Sequence, residues 1–296
     1  MKVQSNGITI EVEDSGETDR QAVLLVMGLG MQLIAWPAAF VDGLRDAGYR
    51  VIRFDNRDAG LSQAFPELGV PNMMVESFRH KLGLRVRSPY TLADMAGDAR
   101  GVLDALRVKA AHVVGVSMGG MIAQRLALAA PHRVASLTSV MSSSGARSLP
   151  GPRRHVLRAL LSRPRDDSEE AIVDNTMQLL RAIGSPGFPM DEALVRERVI
   201  AAVRRGFNPT GTLRQMTAVV ADSRRATELK AMQTPTLVVH GKDDPLVPFV
   251  CGEDTARRIP RAQLVGIHGM GHDLPPGVVE RLLQVLLAHL RQTGAR

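Results

Sequence analysis

The hydrophobic pattern changes most sharply in residues 111–130. A β-branched run containing Val113, Val114 and Val116 meets Gly115-Val116-Ser117-Met118-Gly119, after which Ile122, Leu126 and Ala129/Ala130 recur at helical spacing until Pro131. This predicts a buried strand, a tight turn at Ser117 and a helix. The same alternation recurs on both sides. Short apolar or β-branched runs at 22–27, 50–54, 134–141, 236–240 and 263–267 predict strands, and amphipathic stretches at 36–47, 91–106 and 278–290 predict helices. At the start, 3–5 and 8–12 flank Asn6-Gly7, a dipeptide that tolerates positive φ, so they predict a hairpin. The pattern is α/β, with a mostly parallel central sheet flanked by helices.

Two stretches depart from it. Residues 63–90 lack clear periodicity and read as an irregular excursion over the site. Residues 142–231 open with Ser142-Ser143-Ser144-Gly145 and then show helical period at 152–161, 168–183, 192–205 and 213–221 with no convincing strand between. Asp167-x-x-Glu170 and Asp191 read as N-terminal caps, and Gly184 and Gly206 as stops. The expected organisation is a core of residues 1–141 and 232–296 carrying an inserted helical cap, 142–231. Leu179, Leu180, Met190, Met216 and Val220 are the expected apolar faces of that cap.

Composition narrows the functional classes. At 296 residues, 45% hydrophobic and 23% charged, the chain has the makeup of a globular protein with a sizeable core. The net charge of +7 comes mainly from arginines scattered over several segments, without zinc-finger spacing or an aromatic RNA platform, which speaks against nucleic-acid binding. Cys251 is the single cysteine, excluding an internal disulfide and a cysteine-caged metal. Residues 1–20 are polar and acidic, and no apolar run reaches membrane-spanning length. The expectation is a soluble cytoplasmic protein acting on a small molecule, with no nucleic-acid or membrane partner and a homodimer as one available state.

Ser117 lies on the predicted turn, where Gly115, Gly119 and Gly120 avoid side chains that would collide with the adjoining elements. The next amide, that of Met118, opens the helix with no acceptor inside it. Met27-Gly28-Leu29-Gly30 ends an earlier strand, and the Leu29 amide is the expected second donor of an oxyanion hole. Asp55-Asn56-Arg57-Asp58 reads as a pairing and capping network that fixes its loop, rather than as a metal or phosphate site.

A serine hydroxyl needs a base to take its proton, and the base needs a carboxylate to fix its tautomer. His272 follows the last predicted strand in a loop that Gly269 and Gly271 allow to curl, whereas His268 directly ends that strand. Asp244 follows the strand before it. Asp243 competes with it, but Pro245 biases Asp244 toward an extended, outward posture. Ser117, Asp244 and His272 would thus gather at the carboxyl edge of one parallel sheet.

The order Ser, Asp, His, each after a strand, resembles the α/β-hydrolase superfamily. The resemblance spans nearly the whole chain through MGLG at 27–30, DNRDAGLS at 55–62, GVSMGG at 115–120, HGKDDPLVP at 240–248 and GMGH at 269–272. GLGMQLIAWP and FDNRDAGLS are most similar to capped carboxylesterases of the aclacinomycin methylesterase type. The resemblance implies an α/β-hydrolase fold, an acid three residues after the strand-end glycine, here Asp244, and ester hydrolysis without cofactor or metal. Met27-Gly28 stands where the family usually has His-Gly, which keeps the amide donors and removes a polar neighbour. The same residues could serve carbon–carbon bond hydrolysis or cofactor-free perhydrolysis, or remain in a ligand-binding protein with vestigial turnover.

Overall fold

The computed structural model describes residues 1–294. Its strands are β1 (Lys2–Ser5), β2 (Ile8–Asp14), β3 (Ala22–Val26), β4 (Arg50–Phe54), β5 (Ala111–Val116), β6 (Val134–Val140), β7 (Thr236–Gly241) and β8 (Gln263–Ile267). They form one sheet in the order β1-β2-β4-β3-β5-β6-β7-β8. The β1–β2 and β2–β4 pairs are antiparallel, and the pairs from β4 through β8 are parallel.

The helices in chain order are α1 (Ala38–Asp46), α2 (Met73–Lys81), α3 (Leu92–Ala105), α4 (Met118–Ala129), α5 (Arg154–Leu161), α6 (Glu169–Ile183), α7 (Glu192–Gly206), α8 (Pro209–Ala221), α9 (Arg225–Glu228), α10 (Phe249–Arg258) and α11 (Pro276–Thr293). No helix among the described residues is long and apolar enough to cross a membrane.

Strand alternation sorts the core into two layers. Leu24, Val26, Ile52, Val113 and Leu137 pack against Met95 and Val102 of α3 and Ile122 and Leu126 of α4. Val23, Leu25, Val51, Val114 and Val239 face the other way, toward Phe40 and Leu44 of α1 and Leu282 and Leu286 of α11. Both faces being covered, β3 and β5 are buried along their whole length, β3 uniformly apolar and β5 apolar apart from His112.

The strand order also positions the site. From β3 the chain crosses to β4 on one side and later returns to β5 on the other, so the loops leaving β3 and β5 diverge over a crevice at their carboxyl ends. Residues 27–32 and Ser117 stand at that crevice.

Several boundaries differ from the sequence reading. Within 63–90, where no element was expected, Met73–Lys81 is helical, capped by the Asn72 side chain accepting from the Met74 and Val75 amides. Its apolar residues Met74, Val75 and Phe78 point to solvent, so the expected buried stripe is missing. Ser168, not Asp167, caps α6 by accepting from the Ala171 amide. α8 starts four residues before the predicted point because Asn208 caps it and Pro209 fits its first turn. Its fully buried face carries Arg214, Gln215 and Thr217 with Ala218, while Met216 and Val220 are only half-buried. The apolar packing between α6 and α7 comes from Val173, Met177 and Val199, with Leu180 and Met190 beside them.

Candidate active site

Ser117 joins β5 to α4 at φ 56° and ψ −120°, a conformation that L residues rarely adopt. The turn is closed by the Ser117 amide donating to the Val140 carbonyl (2.9 Å) and by Ser142 Oγ donating to the Ser117 carbonyl (2.7 Å). The flanking glycines are steric necessities. A Cβ on Gly119 would stand 2.0 Å from the Val26 carbonyl oxygen, and one on Gly115 would stand 2.2 Å from that of Gly119.

The loops after β7 and β8 bring two more groups to this turn. His272 Nε2 lies 3.0 Å from Ser117 Oγ, and His272 Nδ1 lies 2.7 Å from Asp244 Oδ2. The other Asp244 oxygen, Oδ1, accepts from the Leu246 and Val247 amides at 2.9 and 2.8 Å. A buried carboxylate so held has one oxygen for the imidazole, which fixes Nδ1 as the protonated nitrogen and leaves the Nε2 lone pair facing the serine. The side chain of His240, buried beside Asp244, sends Nε2–H to the Val247 carbonyl (2.8 Å), and burial pushes its pKa down.

The two competing residues have other partners. Asp243 is exposed and accepts from the Gly269 amide (2.8 Å), while His268 Nε2 accepts from Lys242 Nζ (2.9 Å) at the surface. Cys251 is buried, and desolvation pushes its thiol pKa up to about 11, so it stays protonated at neutral pH.

Leu29 and Met118, the expected anion donors, flank Ser117. Met118 is the first residue of α4, and neither its amide nor that of Leu29 has an acceptor among the described residues. Gly28 packs on the serine: a Cβ there would lie 3.3 Å from Ser117 Cβ. The next amide, of Gly30, donates to Gln215 Oε1 (2.8 Å), and Gln215 Nε2 donates to the Arg57 carbonyl (2.7 Å).

The fold that brings Ser117, Asp244 and His272 together is shared with other proteins. A family model for the alpha/beta hydrolase fold matches residues 21–275. The chain belongs to the α/β-hydrolase family. A rhodomycin D methylesterase from Streptomyces sp. (strain C5) is 32% identical, covering 98% of this chain and 97% of that protein. A 2-hydroxy-6-oxononadienedioate/2-hydroxy-6-oxononatrienedioate hydrolase from Pseudomonas sp. is 28% identical over 89% of this chain and 85% of that one. In fold, the chain is similar to a meta-cleavage product hydrolase from Pseudomonas fluorescens IP01, with TM-score 0.73, 21% identity, and 99% and 97% of the two chains covered.

In this α/β-hydrolase chain the 55–62 loop is a network of buried ion pairs and caps. Asp55 accepts from the Leu33 and Leu61 amides (2.7 and 2.9 Å) and pairs with Arg205 of α7 (2.6 Å). Asp58 takes a two-point contact from Arg214 of α8 (2.8 and 2.7 Å) and the Tyr90 hydroxyl (2.8 Å). Burial works against the Asp58 charge, but the Arg214 contact, the Phe65 amide and the Tyr90 hydroxyl together outweigh it and hold the carboxyl below its usual range. Arg57 pairs in the same two-point way with Asp98 of α3 (2.6 and 2.7 Å). Gln32 donates to the Ala202 and Gly206 carbonyls (2.7 and 2.8 Å), so α7 and α8 are bolted to the loops beside Leu29.

The end of α6 holds the histidine loop. The His272 amide donates to the Ile183 carbonyl (2.7 Å), and the Gly271 amide donates to Ser185 Oγ (2.8 Å). Gly269 supplies the expected curl, with φ 75°. Gly271 serves another purpose: a Cβ there would stand 2.4 Å from the Gly184 carbonyl oxygen. Sequence reasoning missed Gln215 and Ser185, since a polar residue in or after a helix carries no periodic signal. Two surface clefts, one at Arg20 and Arg45 and one at Trp36 and Arg198, lie outside this constellation.

Proposed function

We propose that this α/β hydrolase is a carboxylic ester hydrolase in which Ser117 is the nucleophile, His272 the general base and acid, and Asp244 the group that orients the imidazole. The observation carrying this reading is the unbroken relay from Ser117 Oγ through both His272 nitrogens to a buried, doubly capped Asp244. Ser117 Oγ bonds to the ester carbonyl carbon as its proton passes to His272 Nε2. The Leu29 and Met118 amides receive the oxyanion. The carbon–alkoxy bond then breaks, and His272 returns the proton to the departing alcohol. Water, deprotonated by the same nitrogen, attacks the acyl-enzyme; the acid leaves and Ser117 recovers its proton.

The substrate in this proposal is an ester of a small, apolar molecule, handled without cofactor or metal. The apolar residues of 142–231, taken as a cap over the core of 1–141 and 232–296, support an apolar ligand. The lone buried cysteine supports a cytoplasmic setting. A homodimer is part of the same reading, and sedimentation equilibrium at micromolar concentration tests it. Ser117→Ala should lower kcat on p-nitrophenyl esters by about 10⁴- to 10⁶-fold, with the fold retained by circular dichroism. An unchanged rate at equal purity would remove the proposal.

The similarity to a 2-hydroxy-6-oxononadienedioate/2-hydroxy-6-oxononatrienedioate hydrolase supports a second reading, carbon–carbon bond hydrolysis by the same residues. A vinylogous diketone assayed beside the ester panel separates the two: faster turnover of the diketone would favour the second.

A further inference from the structure

The end of α6 and the residues after it meet the loop after β8 at four points, two of them backbone to backbone. The His272 amide donates to the Ile183 carbonyl (2.7 Å), the Gly271 amide to Ser185 Oγ (2.8 Å) and the Gly187 amide to the Gly269 carbonyl (2.9 Å). In the fourth, Ser185 Oγ–H donates to the Asp273 carboxylate. Contact this close requires bare backbone. A Cβ on Gly187 would stand 2.7 Å from Gly269 Cα, and one on Gly271 would stand 2.6 Å from the Ile183 carbonyl oxygen.

We infer that Ser185 is a positioning residue for His272: its hydroxyl, shared between the Gly271 amide and the Asp273 carboxylate, fixes the loop that presents the imidazole to Ser117. The inference rests on the ester hydrolase reading. Ser185 is buried and its partner Asp273 is half-buried, its carboxyl pushed up by desolvation while the Ser185 bond and the nearby His272 oppose the shift. Both residues adjoining the His272 backbone thus depend on one hydroxyl, which donates to one side and accepts from the other. A methyl group in its place would leave the buried Gly271 amide and a half-buried carboxylate oxygen without their hydroxyl partner, and the loop would relax. Small displacements of a base are expensive, since about 1 Å of misplacement can cost on the order of 10²-fold in rate.

The test is a set of Ser185 variants assayed on a p-nitrophenyl ester, with rates normalised to sites titrated by a fluorophosphonate. Ser185→Ala should lower kcat about tenfold with KM within about twofold, and Ser185→Thr, which keeps the hydroxyl, should recover most of the loss. Ser185→Cys, nearly isosteric but a weak hydrogen-bonder, gives the same reading should the alanine variant not fold: a reduced kcat supports the inference and an unchanged one overturns it. Overturning results are also an alanine variant whose kcat per titrated site matches wild type, a loss confined to KM, or a loss that threonine does not restore. A wild-type protein that neither labels at Ser117 nor turns over ester would sink the hydrolase reading itself. An active, labelled wild type with an unaffected alanine variant would sink this inference alone.

Discussion

At Ser117 the backbone holds φ 56° with a Cβ attached, which costs on the order of 1–3 kcal/mol and persists because β5, α4 and the Ser142 hydroxyl over-determine the turn. Removing the Cβ should relieve part of that cost. Ser117→Gly is therefore expected to unfold later in urea than Ser117→Ala, by about 1 kcal/mol, with both inactive; equal midpoints would mean the turn is not strained. The two adjacent aspartates make a sharper comparison. Asp244 fixes the tautomer of His272, whereas Asp243 supports the backbone at Gly269. Asp244→Asn should cost about 10³- to 10⁴-fold in kcat, as expected when a neutral amide lets the imidazole take the wrong tautomer, while Asp243→Asn keeps an acceptor and should stay within about tenfold of wild type. Equal losses would remove the distinction between them. That Ser117, Asp244 and His272 would meet was legible because each follows a strand whose pattern is clear. Gln215 and Ser185 were not, because their value depends on which loop happens to lie opposite them.

Among the elements, α8 shows how far a helix can depart from an apolar stripe. Its buried face is built from Arg214, Gln215 and Thr217, and that face is what it presents to the loops carrying Leu29 and Asp58. The hydrophobic pattern therefore placed the helix four residues late and named the half-buried Met216 and Val220 as its core. α2 failed to register for the opposite reason: its apolar residues stay exposed, so periodicity had no buried face to report, and only the Asn72 cap marked its start. The ion pair that anchors α8 is fully buried on both sides. Truncating one partner of such a pair strands the other charge, so Arg214→Met should lower stability by about 3–5 kcal/mol. Arg181→Met, which breaks an exposed pair with Glu192, should leave the denaturation midpoint almost unchanged. Chemical denaturation of the two variants checks this, and comparable losses would show that the Arg214–Asp58 contact does not anchor the helix.

Over the whole molecule, the hairpin, the parallel strands and the run of helices between β6 and β7 could be read from the pattern of runs, but the strand order could not, because crossovers leave no mark on periodicity. That order makes the crevice between β3 and β5, and it also buries histidines outside the relay, His240 beside it and others far from it. His112, on β5, lies within 2.8 Å of Ser136 Oγ, and desolvation pushes its pKa down to about 4; burial likewise lowers His240 and His289. An unfolded chain protonates these imidazoles near pH 6.5, while the folded form refuses the proton at His112 until about pH 4. The unfolded state then binds more protons throughout this window, so stability is full above pH 6.5 and falls as the pH drops toward 4. His112 alone should account for about 2–3 kcal/mol of the loss between pH 7 and pH 4.5. His112→Gln, able to keep a hydrogen bond to Ser136, should shrink the pH dependence by that amount in urea titrations at the two pH values. A variant losing as much stability as wild type over the same interval would place the acid sensitivity at the other buried histidines, His240 and His289, since Asp14, Asp58 and Asp254, with their lowered pKa values, act only below pH 4.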